Sequence, residues 1–203
     1  MSYVLSKILT LPGIIIGLCF HEFAHAWMSN KLGDPTPARQ GRLTINPMAH
    51  IDWIGFVCLI LCGFGWGKPV MIDPYYYKHR RRDELLVALA GVVMNLIIAV
   101  ALSFPTKALF ALYQAKGSTL LEMAFYILYY AVSINLCLMV FNLIPVPPLD
   151  GWNIVSQIFH LEKYDWYYKV YQYGSWILIA LILFRVTDIV LLPAVNFMMN
   201  ILL

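Results

Sequence analysis

The chain has 203 residues, of which 61% are hydrophobic and only 12% are charged. A soluble domain carries about 25% charged residues, so this composition excludes an ordinary soluble protein and favours an integral membrane protein. The formal net charge of +3 is too small to indicate a nucleic-acid partner. We therefore expect one membrane-embedded domain over residues 1–203, with the lipid bilayer around it.

The first predicted span covers residues 8–32 and ends at a Gly-Asp-Pro turn. A signal peptide is the alternative for this region, but ionisable residues interrupt the end of its apolar run and a polytopic protein follows. The next apolar segment, residues 53–66, is shorter than the about 20 residues that a crossing needs. We expect it to re-enter the membrane rather than to cross.

The second half of the chain predicts three further spans. They cover residues 85–104, 120–143 and 173–192, with a connecting loop at 105–119, a proline-rich break at 144–151 and an aromatic interfacial segment at 152–171. Arg185 and Asp188 interrupt the last span, and the apolar residues 193–203 are too few to cross. The sequence therefore predicts an all-α polytopic membrane protein.

Basic residues set the expected orientation. If residues 53–66 do not cross, most of the 14 lysines and arginines fall on the cytoplasmic side, as the positive-inside rule requires. If that segment crossed, the densest basic cluster, residues 78–82, would lie outside. The charge pattern thus favours a re-entrant segment in a protein of the cell membrane, reached from the cytoplasm.

The most informative motif is His21-Glu22-Phe23-Ala24-His25, which lies inside the first predicted span. The spacing H-E-x-x-H places two imidazoles one helical turn apart on one face, with a carboxylate beside the first. A single buried histidine is usually a satisfied core residue, but ionisable groups at membrane depth are costly and usually functional. The motif predicts a zinc site in which Glu22 takes a proton from an activated water.

Hydrolytic zinc requires a third protein ligand, and Asp150 is the predicted one. It follows the proline-rich break, where irregular backbone can aim a side chain into the protein. One Zn²⁺ with ionised Asp150 and Glu22 has no net charge, which lowers the cost of burying all three. Taken alone, Asp150 before Gly151 is equally compatible with a turn or a helix cap.

Two other polar residues have open interpretations. Asn142, near the end of a span, could donate a hydrogen bond to an oxyanion, or equally satisfy backbone groups that Pro145 frees. His50, with Asp52, could supply a fourth ligand or a proton path, although an interfacial turn is the simpler interpretation.

These motifs together resemble the site-2 protease family of intramembrane zinc metalloproteases. The resemblance covers about residues 10–160 and rests on the His-Glu pentad, Ala90-Gly91-Val92-Val93-Met94-Asn95, and Phe141-Asn142-Leu143-Ile144-Pro145 with Leu149-Asp150-Gly151. Two shorter motifs, residues 41–47 and 67–70, resemble the compact bacterial and archaeal branch. The family pattern has proline where this chain has Val92, which leaves open the helix shape near Asn95.

The resemblance implies a three-helix catalytic core over about residues 8–160, further C-terminal helices, and no PDZ or CBS domain. It implies one Zn²⁺ held by His21, His25 and Asp150, with Glu22 as the catalytic residue. Asn142 matches the asparagine before the Asp-Gly motif, and Asn95 matches one that lines the substrate path.

The expected function is hydrolysis of a peptide bond within or near a transmembrane segment of a membrane-protein substrate. The alternative is a non-hydrolytic membrane protein that binds or transports a divalent metal. A transporter would be expected to show repeated halves or a path of further ionisable residues, and neither is evident in the sequence. Substrate identity, cleavage position and oligomeric state stay open.

Overall fold

A computed structural model describes residues 3–62 and 65–203 of the chain. Within this part the secondary structure is helical, apart from one isolated β-bridge, which confirms the predicted fold class. The α-helices are α1 Tyr3–Lys31, α2 Thr36–Arg39, α3 Pro47–His50, α4 Trp53–Cys62, α5 Arg80–Lys116, α6 Thr119–Asn142, α7 Asp150–Phe159, α8 Asp165–Leu183 and α9 Asp188–Leu202.

Helices α1, α5 and α6 form the central bundle. In the described part of the chain, these three are long and apolar enough to cross a membrane, which makes this a multi-pass membrane protein. Each of the three packs against the other two. Small residues permit the close approach: a Cβ atom on Gly13 of α1 would lie 2.6 Å from Cα of Ala131 in α6.

The predicted loop at 105–119 is wrong, because α5 continues through Pro105 to Lys116. The connection to α6 is only two residues long, and Gly117 begins it in the left-handed conformation with φ of 61°. Hydroxyl groups of the buried Ser103 and Thr106 donate to the carbonyls of Val100 and Leu102 beside the proline. Such contacts and packing on α6 let a membrane helix accommodate a proline.

The segment that contains α4 turns back on itself, as the re-entrant prediction requires. Ile51 and Gly67 form an antiparallel bridge, and the Lys68 amide donates to the His50 carbonyl at 2.8 Å. The chain thus returns to its starting point after about fifteen residues, of which Gly63 and Phe64 lie outside the described residues. The Nζ of Lys7 donates to the Ile60 carbonyl at 2.8 Å, near the end of α4.

The predicted span over residues 173–192, which Arg185 and Asp188 interrupt, corresponds to two helices joined at a bend. Helix α8 ends at Leu183 and α9 begins at Asp188, with an angle of 71° between them. Arg185 has φ of 56° in the turn, and residues 193–203, which were predicted to be too short to span, form most of α9. The charged residues Arg185 and Asp188, which interrupt the apolar run in the sequence, therefore mark the position of the bend.

Asp34 fastens the end of α1 to the loop that leads into α5. Its buried carboxylate accepts hydrogen bonds from Oγ of Ser29 and from the backbone amides of Thr36 and Asp73, each at 2.8 Å. Burial alone disfavours the charged carboxylate, but these hydrogen bonds outweigh it and hold the pKa of Asp34 below its usual value. This anchor fixes the loop at Asp73, three residues after Val70, whose amide reaches Glu22.

Replacing Asp34 by asparagine should lower the free energy of unfolding by about 1–3 kcal/mol at pH 7, because a charged acceptor is lost. The folded-state pKa is depressed, so the wild-type advantage is complete above the unfolded value of about 3.9 and disappears as pH falls through the folded value. Denaturant unfolding in detergent at pH 7 and pH 3 measures this. The exposed Asp165→Asn is the control, and an equal deficit at both pH values would contradict the prediction.

Candidate metal centre

Helix α1 presents His21 and His25 to the interior of the bundle. Their ring centroids are 4.6 Å apart, and their Nε2 atoms approach to 3.0 Å. Both rings use Nδ1 to contact α5: His21 bonds Oδ1 of Asn95 at 2.7 Å, and His25 bonds the Val87 carbonyl at 2.8 Å. Helix α5 therefore orients both imidazoles.

These contacts fix the donor role of one nitrogen in each ring. A carbonyl can only accept, so Nδ1 of His25 donates to Val87, and in the neutral ring its Nε2 then carries a lone pair. Nδ2 of Asn95 donates to the Gly17 carbonyl at 3.1 Å, so its Oδ1 faces His21 and Nδ1 of His21 must also donate. Both Nε2 atoms are then free to bind a metal, as in other histidine metal sites.

Asn95 and Asn135 extend this arrangement across all three helices of the bundle. Nδ2 of Asn135 donates to the Ala131 carbonyl at 2.8 Å, which directs its Oδ1 towards Nδ2 of Asn95 at 3.0 Å. Both side chains are fully buried. Asn95 therefore supports His21, and the place along the substrate path that the resemblance implies for it stays a prediction. The sequence analysis missed Asn135, although a polar residue inside an apolar span was the available signal.

Asp150, the first residue of α7, completes the cluster. Its Oδ2 lies 3.2 Å from Nε2 of His21 and 3.3 Å from Nε2 of His25. This oxygen is buried and has no hydrogen-bond partner among the described residues. The irregular turn before α7 delivers it to this position, as the sequence analysis predicted.

The spacing of the three ligand atoms suits a metal ion. Ligands at 2.0–2.1 Å from a tetrahedral zinc are about 3.3–3.4 Å apart, which is close to the observed separations. With both rings neutral, the lone pairs of Nε2 of His21, Nε2 of His25 and Oδ2 of Asp150 face one another and repel. A single proton can form a hydrogen bond between two of these atoms, and the third is left without a partner. A cation satisfies all three at once, and among the described residues these are the ones grouped so that they could hold one.

Gly91 explains how α5 can come so near to the imidazoles. It lies between Val87 and Asn95 on one face of α5, and a Cβ atom there would be 2.5 Å from Nε2 of His25 and 2.6 Å from Cε1 of His21. Any larger residue would displace the rings. Val92, where the family pattern has proline, is buried against α6 and α9, and α5 is continuous through it.

Glu22, the predicted general base, lies outside the cluster of His21, His25 and Asp150. Its Oε2 accepts a hydrogen bond from the Val70 amide at 3.0 Å. The segment that carries Val70 is held by Arg42, whose Nη2 donates to the carbonyls of Lys68 at 3.1 Å and Pro69 at 2.9 Å. The carboxylate is therefore positioned by a loop rather than by the helical bundle.

Two cavities meet at the cluster, and His21, Glu22, Asn142 and Pro148 line both. One, of about 420 Å³, also contacts His25 and Asp150, and the other has a volume of about 370 Å³. Asn142 donates from Nδ2 to the Leu138 carbonyl at 3.0 Å, so it satisfies a backbone group one turn back in its own helix. Its oxyanion role stays a prediction.

His50 is not a fourth ligand. It is fully buried, and its Nε2 contacts the Thr44 carbonyl at 2.6 Å, away from the cluster of His21, His25 and Asp150. Oδ1 of Asp52 accepts from the Gly55 amide at 2.9 Å at the start of α4. Both residues therefore stabilise the turn that precedes the re-entrant segment, which was the simpler interpretation.

Fold and site together define a polytopic helical membrane protein with a two-histidine, one-aspartate cluster between its helices. The sequence profile of peptidase family M50 matches residues 105–184, which include Asn142 and Asp150 but not the His-Glu pentad. The chain belongs to peptidase family M50, the site-2 protease family of zinc metalloproteases.

Similar proteins that align with most of this chain support its membership of family M50. The candidate zinc metalloprotease YwhC of Bacillus subtilis is 39% identical over 152 residues, which are 71% of this chain and 66% of YwhC. The candidate zinc metalloprotease Rip2 of Mycolicibacterium smegmatis is 28% identical over 190 residues, 90% of this chain and 70% of Rip2. The chain thus spans slightly less than two thirds of YwhC. No solved structure matches it.

Replacing Gly91 by alanine should weaken zinc binding by at least about tenfold, because the added Cβ displaces both imidazoles. Zinc titration of the purified protein, monitored by competition with a chromophoric chelator, measures this. Val93→Ala is the matched control, since Val93 lies on the exposed face of the same helix. Wild-type affinity in Gly91→Ala would show that α5 does not constrain the cluster.

Replacing Asn95 by leucine should reduce zinc affinity about 10–100-fold, the usual effect of removing a group that orients a ligand. Asn95→Asp should retain more affinity, because a carboxylate oxygen can still accept from Nδ1 of His21. The same titration compares the two variants. Equal losses in both would mean that packing, and not the hydrogen bond to His21, is what Asn95 supplies.

Proposed function

We propose that this protein is an intramembrane metalloendopeptidase that cleaves a peptide bond within or near a transmembrane segment of another membrane protein. His21, His25 and Asp150 would hold one Zn²⁺ per chain. The observation that carries the proposal is the approach of the unpartnered Oδ2 of Asp150 to both Nε2 atoms. Membership of family M50 supports peptide hydrolysis as the chemistry.

When bound, zinc supplies a Lewis acid that acidifies a water molecule and polarises a peptide carbonyl. Glu22, outside the ligand set, accepts the proton from the attacking water and returns it to the nitrogen of the leaving amine. Asn142 lines both cavities beside Glu22 and offers an amide to the oxygen that becomes negative. The Val70 amide holds Glu22 in place before substrate arrives.

The depth of the cluster supports a membrane-embedded substrate. His21 and His25 lie ten and six residues before the end of α1 at Lys31, which corresponds to about 15 Å and 9 Å along the helix. A peptide bond at that depth belongs to a membrane-spanning segment or to its end. Basic residues near this end of α1 and at the start of α5 favour access from the cytoplasmic side of a cell membrane.

A metal transporter is the less supported alternative. Transport needs successive binding sites along a path, whereas the described residues contain a single cluster suited to a metal. The position of Glu22, beside the cluster but not within it, also serves no purpose in transport.

Glu22→Gln should retain zinc and lose about 10²–10⁴-fold in cleavage rate, because the amide cannot accept the proton. The assay is zinc-dependent cleavage of a single-span model protein in proteoliposomes, with zinc content measured by atomic absorption. Glu122→Gln, near the start of α6, is the control.

Asp150→Ala should lose both zinc and cleavage, since it removes a ligand. Cleavage by Glu22→Gln at the wild-type rate would exclude Glu22 as the base. Cleavage by zinc-free Asp150→Ala would exclude the proposed metal centre.

A further inference from the structure

The two cavities that meet at Glu22 differ in chemistry. The first is lined in part by charged and polar side chains: Arg80, Glu84, Asn153, Asp150 and Glu162. Beyond the residues shared with the first cavity, the second is lined by Leu18, Gly65, Trp66, Gly67, Leu138, Phe141, Leu149, Ser175, Leu178 and Ile179. We call the second the apolar cavity. The proposed base therefore lies on the boundary between a polar and an apolar space.

Helix α8 supplies one wall of the apolar cavity. Gly174 brings α8 into contact with Pro147, and a Cβ atom there would collide with the proline ring. This contact brings Leu178 into the wall of the cavity. Leu178 lies one helical turn after Gly174 and is only 5% exposed. Leu138 and Phe141 of α6 also line this cavity. Because these residues come from separate helices, the cavity is a consequence of the tertiary packing.

The apolar surface continues away from Glu22. A further cavity of about 330 Å³ shares Leu18, Gly65 and Leu138 with the apolar cavity and extends along α1 towards Lys7. Lys7 and Glu22 are fifteen residues apart, about 22 Å along a helix. This length of apolar lining suits the membrane-spanning side of a substrate rather than one isolated side chain.

We infer that the apolar cavity is a subsite for a large apolar side chain next to the scissile bond, and that Leu178 sets its size. The inference rests on the proposed function, since a carbonyl held at the His21–Asp150 cluster leaves one flank of the peptide facing this cavity. A charged side chain there would lose its hydration among apolar walls and be rejected. A side chain that fills the space is favoured, by about 10–200-fold for each methylene group.

The experiment uses single-span peptides in proteoliposomes with the zinc-loaded protein. Cleavage is mapped by mass spectrometry, and the residues on either side of the cleaved bond are varied in turn among Ala, Leu, Phe and Lys. At the position that occupies the apolar cavity, wild type should cut the Leu and Phe peptides at least about tenfold faster than the Ala peptide. It should cut the Lys peptide least.

Variants of Leu178 test whether the apolar cavity causes the preference for Leu and Phe peptides over the Ala peptide. Leu178→Trp fills the space and should shift the preference to Ala, whereas Leu178→Ala enlarges it and should favour Phe over Leu. Leu183→Trp is the matched control: it lies on the same helix, 75% exposed, and lines none of the cavities described above. Its profile should match wild type.

Binding measured without turnover provides an independent test. In Glu22→Gln, photo-crosslinking should label the protein more strongly with the Leu peptide than with the Ala peptide, and adding Leu178→Trp should reverse the order. If Leu178→Trp loses zinc, and so its folded site, Leu178→Ala decides the question alone.

An unchanged preference in the folded Leu178 variants would overturn the inference and mean that lipid fills the cavity. Failure of wild type to cut any peptide in a zinc-dependent manner would instead overturn the proposed function.

Discussion

The arrangement of the bundle depends on three lone pairs that face one another in an apolar interior. Two imidazole nitrogens and a carboxylate oxygen lie 3.0–3.3 Å apart, with no donor for Oδ2 of Asp150 among the described residues. In a low-dielectric interior this repulsion is costly, and a divalent cation removes it. The surrounding helices must therefore hold the ligands together before the ion binds.

Helix α5 performs much of this task with one stripe of residues. Val87, Gly91 and Asn95 are spaced by four, so they share a face of the helix. Val87 accepts a hydrogen bond from His25, and Asn95 accepts one from His21. Gly91 leaves room for both imidazole rings. Asn135 of α6 in turn holds the side chain of Asn95 by a hydrogen bond. Orientation of the ligands is thus shared by helices that contribute no ligand.

Glu22 differs from the proposed ligands because a hydrogen bond from a loop, and not from a helix, positions its carboxylate. Its partner is the Val70 amide, in a segment tied by Arg42 and by the bridge between Ile51 and Gly67. The proposed metal ligands lie on packed helices, which favours rigidity, whereas a loop holds the proposed base. This division suits the proposed function, in which the site keeps a metal and admits a polypeptide.

The sequence alone determined what depends on residue type and local periodicity. Helical spacing placed both histidines on one face, hydropathy located the three spans, and the need for a third ligand selected Asp150, which the structure brings to them. Tertiary packing decided the rest: α5 continues through Pro105, the chain bends by 71° between α8 and α9, and Asn95 supports His21. These outcomes rest on contacts between residues far apart in the chain, which composition and local pattern do not encode.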